Sequence, residues 1–384
     1  MYYKIDFNKQ PILVFWEVTK ACPLKCKHCR AEAILEPLPG ELSTEEGYNL
    51  IYSITRFGKP YPVLIFTGGD PLSRSDIFDL IKYAIELDIK VGLAPTVSEK
   101  LNEEVIRYLS RLGVKYISIS LDGAYPDTHD SIRGLNGHFN MTISVLKKLV
   151  RGGFKVQVNT IVLRENVGEL PYMVKLLKDI GVNIWEVFFL IKVGRGIELN
   201  DLTPIEYEDV MHFLYDTSKY DIEVRTVEAP FFRRVVLWRR EDDSQNINYI
   251  RDRYKLSKLY EVLASKLRDL MGSSQSNPKA YLGHTRDGYG IIFISHDGRI
   301  YPSGFCEYEL GNIRVNDLVE VYRNNSILKA IREARFNGRC GICEYRYMCG
   351  GSRARAYTTF KNILAEDPAC IYNPQSNSLN SILE

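Results

Sequence analysis

The sequence reads as an α/β chain. A partial (β/α)6, TIM-like barrel covers residues 1–202, a helical, charged connecting region covers 203–285, and a small cysteine-bearing domain covers 286–373. Three observations carry this reading. From residue 12 to about 200, short β-rich runs alternate with amphipathic stretches, the signature of parallel βα units. After Thr203 the pattern turns mostly helical and strongly charged. The 8 cysteines fall in two groups, Cys22, Cys26 and Cys29 near the start and Cys306, Cys340, Cys343, Cys349 and Cys370 near the end.

Taken in order, the candidate strands are Ile12–Val18, Val63–Phe66, Lys90–Leu93, Tyr116–Leu121, Lys155–Val162 and Ile184–Ile191. Amphipathic stretches lie between them: Thr44–Thr55, Ser75–Leu87, Asn102–Leu112, Gly137–Arg151 and Gly168–Ile180. Ser43-Thr-Glu-Glu46 has the form of a capping box opening the first helix. Six units leave the barrel open at the side, and active residues are expected at the C-terminal ends of the strands. In the connecting region, Arg233-Arg234-Val-Val-Leu-Trp-Arg239-Arg240 reads first as the solvated face of a helix, and second as a site for an acidic substrate or partner. Gly272 to Pro278 reads as a mobile linker. Tyr289–Ser295, the turn His296-Asp-Gly298 and Arg299–Tyr301 read as a hairpin, and 374–384 as a frayed tail.

With 26% charged residues and a net charge of +2, nothing points to nucleic acid or a membrane as partner. No apolar run is long enough to span a bilayer and the N-terminus lacks the form of a secretory signal, so a cytoplasmic location is expected. Cysteines in that compartment are metal ligands or reactive thiols more often than disulfides.

Cys22-Pro-Leu-Lys-Cys26-Lys-His28-Cys29 follows the first strand directly, on the expected catalytic rim. Thiolates at this density suit an iron–sulfur cluster, and three of them leave one iron of a cubane open to bind a small molecule. Zinc is the competing reading, but a structural zinc wants four ligands, and His28 beside Cys29 would be a cramped fourth.

The C-x3-C-x2-C spacing resembles the cluster loop of the radical S-adenosylmethionine (SAM) superfamily, and further motifs resemble that family in its order. Thr67-Gly68-Gly69-Asp70-Pro71 resembles its Gly-Gly-Glu-Pro signature, with Asp70 in place of the usual glutamate. Ser118-Ile-Ser120-Leu-Asp122-Gly123, followed by His129 to Gly134 and Gly137, resembles its Ser-Leu-Asp-Gly…Arg-Gly pattern. Asn159-Thr-Ile-Val and Leu190-Ile-Lys-Val-Gly194-Arg195-Gly196 match its fifth and sixth strand ends. The resemblance covers about half of the chain. It implies a [4Fe–4S] cluster on Cys22, Cys26 and Cys29 whose open iron takes the amino and carboxylate groups of SAM. Gly68, Gly69 and Asp70 would then hold the SAM amino group, Ser120 and Arg133 its ribose or carboxylate, and Asn159 and Leu190 ribose and adenine, with His28 beside the adenine ring. A polar residue in these motifs reads as a clamp, and no acid–base catalyst is singled out.

Cys340-Gly-Ile-Cys343-x5-Cys349-x20-Cys370 resembles part of the SPASM module, an auxiliary-cluster domain attached to many radical SAM enzymes. The resemblance implies one closed auxiliary [4Fe–4S] cluster on these four, with zinc as the alternative. Ser303 and the Gly350-Gly-Ser352-Arg353 run stand where the family places further cysteines, so a second, inner auxiliary cluster is expected to be absent. Cys306 is left over and reads as a small buried hydrophobe. Gly350 to Tyr357 and Leu364 to Cys370 resemble the branch that modifies tetrapyrroles, enzymes that decarboxylate or remove propionate side chains. Arg353, Arg355 or the 233–240 run would supply a cationic pocket. A peptide maturase is the alternative enzyme, and a non-catalytic iron–sulfur scaffold or electron carrier the alternative of another class. The family also implies a low-potential electron donor such as ferredoxin or flavodoxin.

Overall fold

Ten strands form one sheet in a computed structural model that describes residues 5–274, 276–283 and 285–374. The stretch 375–384, within the part read as a frayed tail, lies outside the described residues. The strands are β1 (Leu13–Glu17), β2 (Val63–Thr67), β3 (Val91–Leu93), β4 (Tyr116–Ser120), β5 (Lys155–Val162), β6 (Ile184–Phe189), β7 (Glu223–Val227), β8 (Ile291–Ile294), β9 (Arg299–Tyr301) and β10 (Gly311–Asn312). Their order is β10-β9-β8-β1-β2-β3-β4-β5-β6-β7. The first seven run parallel, with helices crossing between consecutive strands. β7 and β10 end the order and do not pair, so among the described residues the barrel stays open.

Each of the six sequence-read strands forms, within two residues of its expected ends. The Ser43 capping box is present in both its arms. The connecting region is helical for most of its length, but it also supplies β7, which extends the parallel sheet beyond β6. Glu223-Val-Arg-Thr-Val227 is too polar to stand out by hydropathy; its register against Ile184–Phe188 makes it a strand. Pro126–Arg133 is likewise a helix that periodicity did not mark, with Pro126 in its first turn and Gly134 closing it in a left-handed conformation. The expected hairpin is β8–β9, and β8 pairs parallel to β1, placing the C-terminal segment along the first strand.

The two faces of the sheet have different fates because side chains alternate along a strand. Val14, Trp16, Leu64, Phe66, Ile117, Ile119, Val158, Trp185 and Val187 are buried in the core shared with the helices. Their neighbours Phe15, Ile65, Thr67, Ser118, Ser120, Gln157, Asn159, Glu186 and Phe188 face a cavity of about 700 Å³. The apolar half of each strand holds the fold, and the other half lines the site.

Candidate active site

The cysteine loop leaves β1 at its C-terminal end and is gripped by three of the motif loops. Gly69 N donates to Thr19 O at 2.8 Å and Asp70 N to Ala21 O at 2.7 Å, continuing the β1–β2 pairing into the loop. The approach is so close that a Cβ on Gly69 would sit 2.5 Å from Ala21 O. From another side, Lys27 N donates to Ile132 O at 2.9 Å. From a third, Arg195 donates through Nε to Cys26 O at 2.9 Å and through Nη1 to Ala33 O at 3.0 Å. A Cβ on Gly194 would lie 2.5 Å from both Cys29 O and Arg30 O. Glycines in these motifs thus serve the packing of the loop as well as its opening to the cavity.

Cys22, Cys26, Cys29, His28, Gly68, Gly69, Ser120, Arg133 and Asn159 all line the one cavity. Two sequence-picked residues do not. Asp70 is fully buried, and its carboxylate accepts from Leu72 N and Thr96 N, both at 3.2 Å, and from Ser98 Oγ at 3.4 Å. Leu190 is buried and offers its carbonyl to Arg355 Nη2 at 3.3 Å.

The three thiols are free of disulfides and already receive donors: Leu24 N to Cys22 Sγ at 3.5 Å, Ala33 N to Cys29 Sγ at 3.4 Å, and Arg133 Nη1 to Cys26 Sγ at 3.5 Å. Burial pushes the Cys22 and Cys26 thiols up, partly opposed at Cys26 by Arg133. A metal centre binding there must displace those protons. Sulfur donors with amide and guanidinium groups aimed at them fit a thiolate-held cluster.

Arg133 is held as well as presented. Its Nη2 lies 2.7 Å from Asp122 Oδ2 while its Nε has no partner among the described residues. Burial alone would raise the Asp122 carboxyl, but Arg133 and the nearby His28 hold it below the ordinary carboxylate range. Asp122 N in turn donates to His129 Nδ1 at 3.0 Å, and His129 Nε2 meets His138 Nδ1 at 2.8 Å. Burial lowers His28 to about 4, so its ring is neutral near pH 7, and its buried Nδ1 has no partner among the described residues.

Across the cavity the wall comes from the C-terminal segment. Arg30, next to Cys29, pairs with Glu17 at 2.9 Å and stacks over Phe293 at 4.6 Å; Glu17 also meets His296 Nδ1 of the β8–β9 turn at 2.9 Å. This joins the cysteine loop to the hairpin. Glu228 and Asp287 form a buried pair on the same wall. Asp287 accepts from the backbone N–H of Arg353 at 2.8 Å and of Ala354 at 2.9 Å, while Glu228 accepts from Ser352 Oγ. Burial and then the Asp287 charge push the Glu228 carboxyl well above its usual range. Sequence reasoning missed this pair, because residues so far apart in the chain carry no common local signal. Ser303 lines the cavity with a buried Oγ that has no partner among the described residues.

Cys340, Cys343, Cys349 and Cys370 line a separate small cavity with Arg339, Arg346 and Asp367. Burial pushes Cys343 and Cys349 up to about 11 and Cys370 to about 12. Cys306 lies apart from them in a small apolar cluster with Ile331 and Phe336, with no exposed surface.

The solvated-face reading of 233–240 is corrected. On the helix Phe232–Glu241, Arg233, Arg234 and Arg239 are buried. Arg234 forks onto Glu208 at 2.8 and 2.7 Å, and Arg239 pairs with Asp216. Those carboxylates sit on the helix Pro204–Thr217, whose packing a charge count cannot reveal. Of the arginines proposed for a cationic pocket, Arg233 lines the large cavity; Arg353 donates to the carbonyls of Ile363 and Ala365, and Arg355 pairs with Asp367 at 3.3 Å.

Comparison with known proteins agrees with this arrangement. The sequence profile of the Radical SAM superfamily matches residues 16–177, from β1 to the helix before β6. An AdoMet-dependent heme synthase of Methanosarcina barkeri is 33% identical over 372 residues, covering 96% of this chain and 99% of that protein. An Fe-coproporphyrin III synthase of the same organism is 28% identical over 374 residues, 94% of this chain and 88% of that protein. The crystal structure of Streptococcus suis SuiB bound to precursor peptide SuiA superposes with a TM-score of 0.67 over 95% of this chain and 76% of that one, at 16% identity, a likeness of fold. No helix among the described residues is long and apolar enough to cross a membrane. With the motifs in family order on the rim of an open parallel barrel and similarity to haem synthases over nearly the whole length, the chain belongs to the radical SAM superfamily and is one of its enzymes.

Proposed function

We propose that this enzyme decarboxylates or removes propionate side chains of a tetrapyrrole, beginning with hydrogen abstraction beside the carboxylate. Cys22, Cys26 and Cys29 hold the SAM-binding [4Fe–4S] cluster, and Cys340, Cys343, Cys349 and Cys370 hold one auxiliary [4Fe–4S] cluster. When bound and reduced, the first cluster and SAM supply a 5′-deoxyadenosyl radical. The chain's own residues orient SAM and exclude water. His28, Gly68, Gly69, Ser120, Arg133 and Asn159 face it, while Asp70 and Leu190 act through the backbone they anchor. A low-potential donor such as ferredoxin or flavodoxin provides the electron.

One observation carries the substrate class. The cavity that begins at the cysteine loop is lined by seven lysines and arginines against four carboxylates, one of which, Glu228, has its carboxyl pushed well above the usual range by burial and by Asp287. Its volume of about 700 Å³ lies within the range of sites that enclose a large organic ligand. An anionic, mainly apolar macrocycle matches that lining.

The test is anaerobic turnover with SAM, a reductant and iron coproporphyrin III. The expected result is porphyrin-dependent 5′-deoxyadenosine and a porphyrin product lighter by at least the elements of CO2. SAM cleavage with an unchanged porphyrin mass overturns the substrate reading alone.

His28 offers a second check. Because its ring is neutral above about pH 5, SAM affinity should show no titration from this residue between pH 6 and 8. His28→Phe should keep the affinity, and His28→Ala should weaken it by roughly 1 kcal/mol, the worth of one aromatic contact. Equal affinities for the two variants in a SAM-binding titration would remove His28 from the adenine site.

A further inference from the structure

Buried guanidinium groups near the C-terminal cysteines divide into two kinds. Arg234, Arg239 and Arg355 each meet a carboxylate. Arg233, Arg286 and Arg353 are as deeply buried, and among the described residues their guanidinium groups have no carboxylate partner. Arg233 donates to Met348 O at 2.7 Å and to Thr285 O. Arg286 donates to Tyr347 O at 3.1 Å and Ile331 O at 3.4 Å, and its Nε has no partner. Arg353 donates to Ile363 O and Ala365 O and lies 3.9 Å through Nη2 from Cys340 Sγ.

None of the three lines the small cysteine cavity itself, where Arg339 and Arg346 lie, but Arg233 and Arg286 reach the backbone beside Cys349 and Arg353 reaches Cys340. Tyr347 and Met348 immediately precede Cys349, so Arg233 and Arg286 clamp the backbone leading into that ligand. A Cβ added to Gly350 would lie 2.7 Å from Arg286 Nε, which puts the unpartnered N–H against the turn that follows Cys349. Burial lowers Arg286 to about 10, and it remains a cation at pH 7. Uncompensated buried cations are costly, by several kcal/mol each, unless an anion lies close. Four thiolates around a cubane core form such an anion, and nearby positive charge favours its further reduction. The N-terminal site differs, since the two arginines nearest its cysteines are neutralised, Arg133 by Asp122 and Arg30 by Glu17.

We propose that Arg233, Arg286 and Arg353 form a cationic shell that raises the reduction potential of the auxiliary cluster relative to the SAM-binding one. The inference rests on the auxiliary-cluster reading above. It is tested on the full-length, anaerobically reconstituted enzyme by potentiometric titration followed by EPR, with the SAM-responsive signal as internal reference. Arg233→Gln, Arg286→Gln and Arg353→Gln keep an amide donor and remove the charge. Each should lower the reduced-to-oxidised ratio of the auxiliary cluster at fixed potential by about tenfold, about 59 mV for one electron. The reference signal should not move, and the corresponding lysine variants should titrate close to the wild type. Each variant is titrated only in samples whose iron and sulfide content matches the wild type, which keeps the test independent of cluster assembly. An auxiliary cluster that titrates alike in wild type and glutamine variants overturns the inference alone. Zinc, or no iron, at the C-terminal cysteines of the wild type overturns the auxiliary-cluster reading and the inference with it.

Discussion

Replacing Cys22, Cys26 and Cys29 together by alanine is expected to abolish reductive SAM cleavage while leaving the C-terminal iron in place. Iron and sulfide quantitation after anaerobic reconstitution should give about eight irons per wild-type chain and about four in the variant, with a SAM-dependent EPR change in the wild type alone. The structural cost of the change should be small. The sulfurs make only long bonds, with Leu24 N, Thr96 Oγ1, Ala33 N and Arg133, while the loop's backbone is fixed by Gly69, Ile132 and Arg195. Loss of SAM cleavage with an unchanged far-UV spectrum and melting temperature would therefore report the chemistry and not collapse of the loop. Residual cleavage in the variant would overturn the ligand assignment. No iron in the wild type would overturn the mechanism altogether.

Arg133→Met should destabilise the fold by about 3–5 kcal/mol, because it strands a buried carboxylate. Asp122 is almost fully inaccessible; its Oδ1 accepts from Ile161 N at 2.9 Å and its Oδ2 meets Arg133 at 2.7 Å. In the wild type the carboxyl is held below its ordinary value, so the stability it contributes is present above the pKa of the unfolded group, about 4, and is lost as pH falls below it. Without Arg133, burial dominates and the folded-state pKa lies above the unfolded one. The sign then reverses: the folded variant binds the extra proton, and its deficit should shrink as pH falls from 7 towards 5. Urea denaturation at the two pH values reads this directly. Arg133→Met/Asp122→Asn should recover most of the stability without restoring SAM affinity, which separates the structural role of Arg133 from its proposed contact with SAM. An Arg133→Met chain as stable as the wild type would refute the ion-pair argument.

Both predictions begin from residues that were legible in the sequence. Cys22, Cys26 and Cys29 announce themselves by covalent spacing, Gly68–Gly69 and Ser120 by standing at the ends of recognisable strands, and Arg133 and Asn159 by their resemblance to the family's motifs. What was not legible is how these groups are occupied. Asp70, picked for its place in a motif, turns its carboxylate to Leu72, Thr96 and Ser98 and away from the cavity lining. Arg133 is committed to Asp122 before any ligand arrives. The 233–240 run looked solvated because four arginines in eight residues suggest a wet helix face, and the structure buries three of them.

By itself, then, the sequence determined the order of the parallel units, the capping box that opens the first helix, the two cysteine groups and the motif loops at the strand ends. These follow from period-two alternation, capping residues and short-range spacing, which act over a few residues and need no knowledge of the remainder. Only the tertiary structure decided that Glu223–Val227 is a strand, that Glu228 and Asp287 share one wall, and which buried arginines find a carboxylate. Those outcomes depend on partners tens to hundreds of residues away, and a buried charge takes its character from whichever group the fold brings beside it.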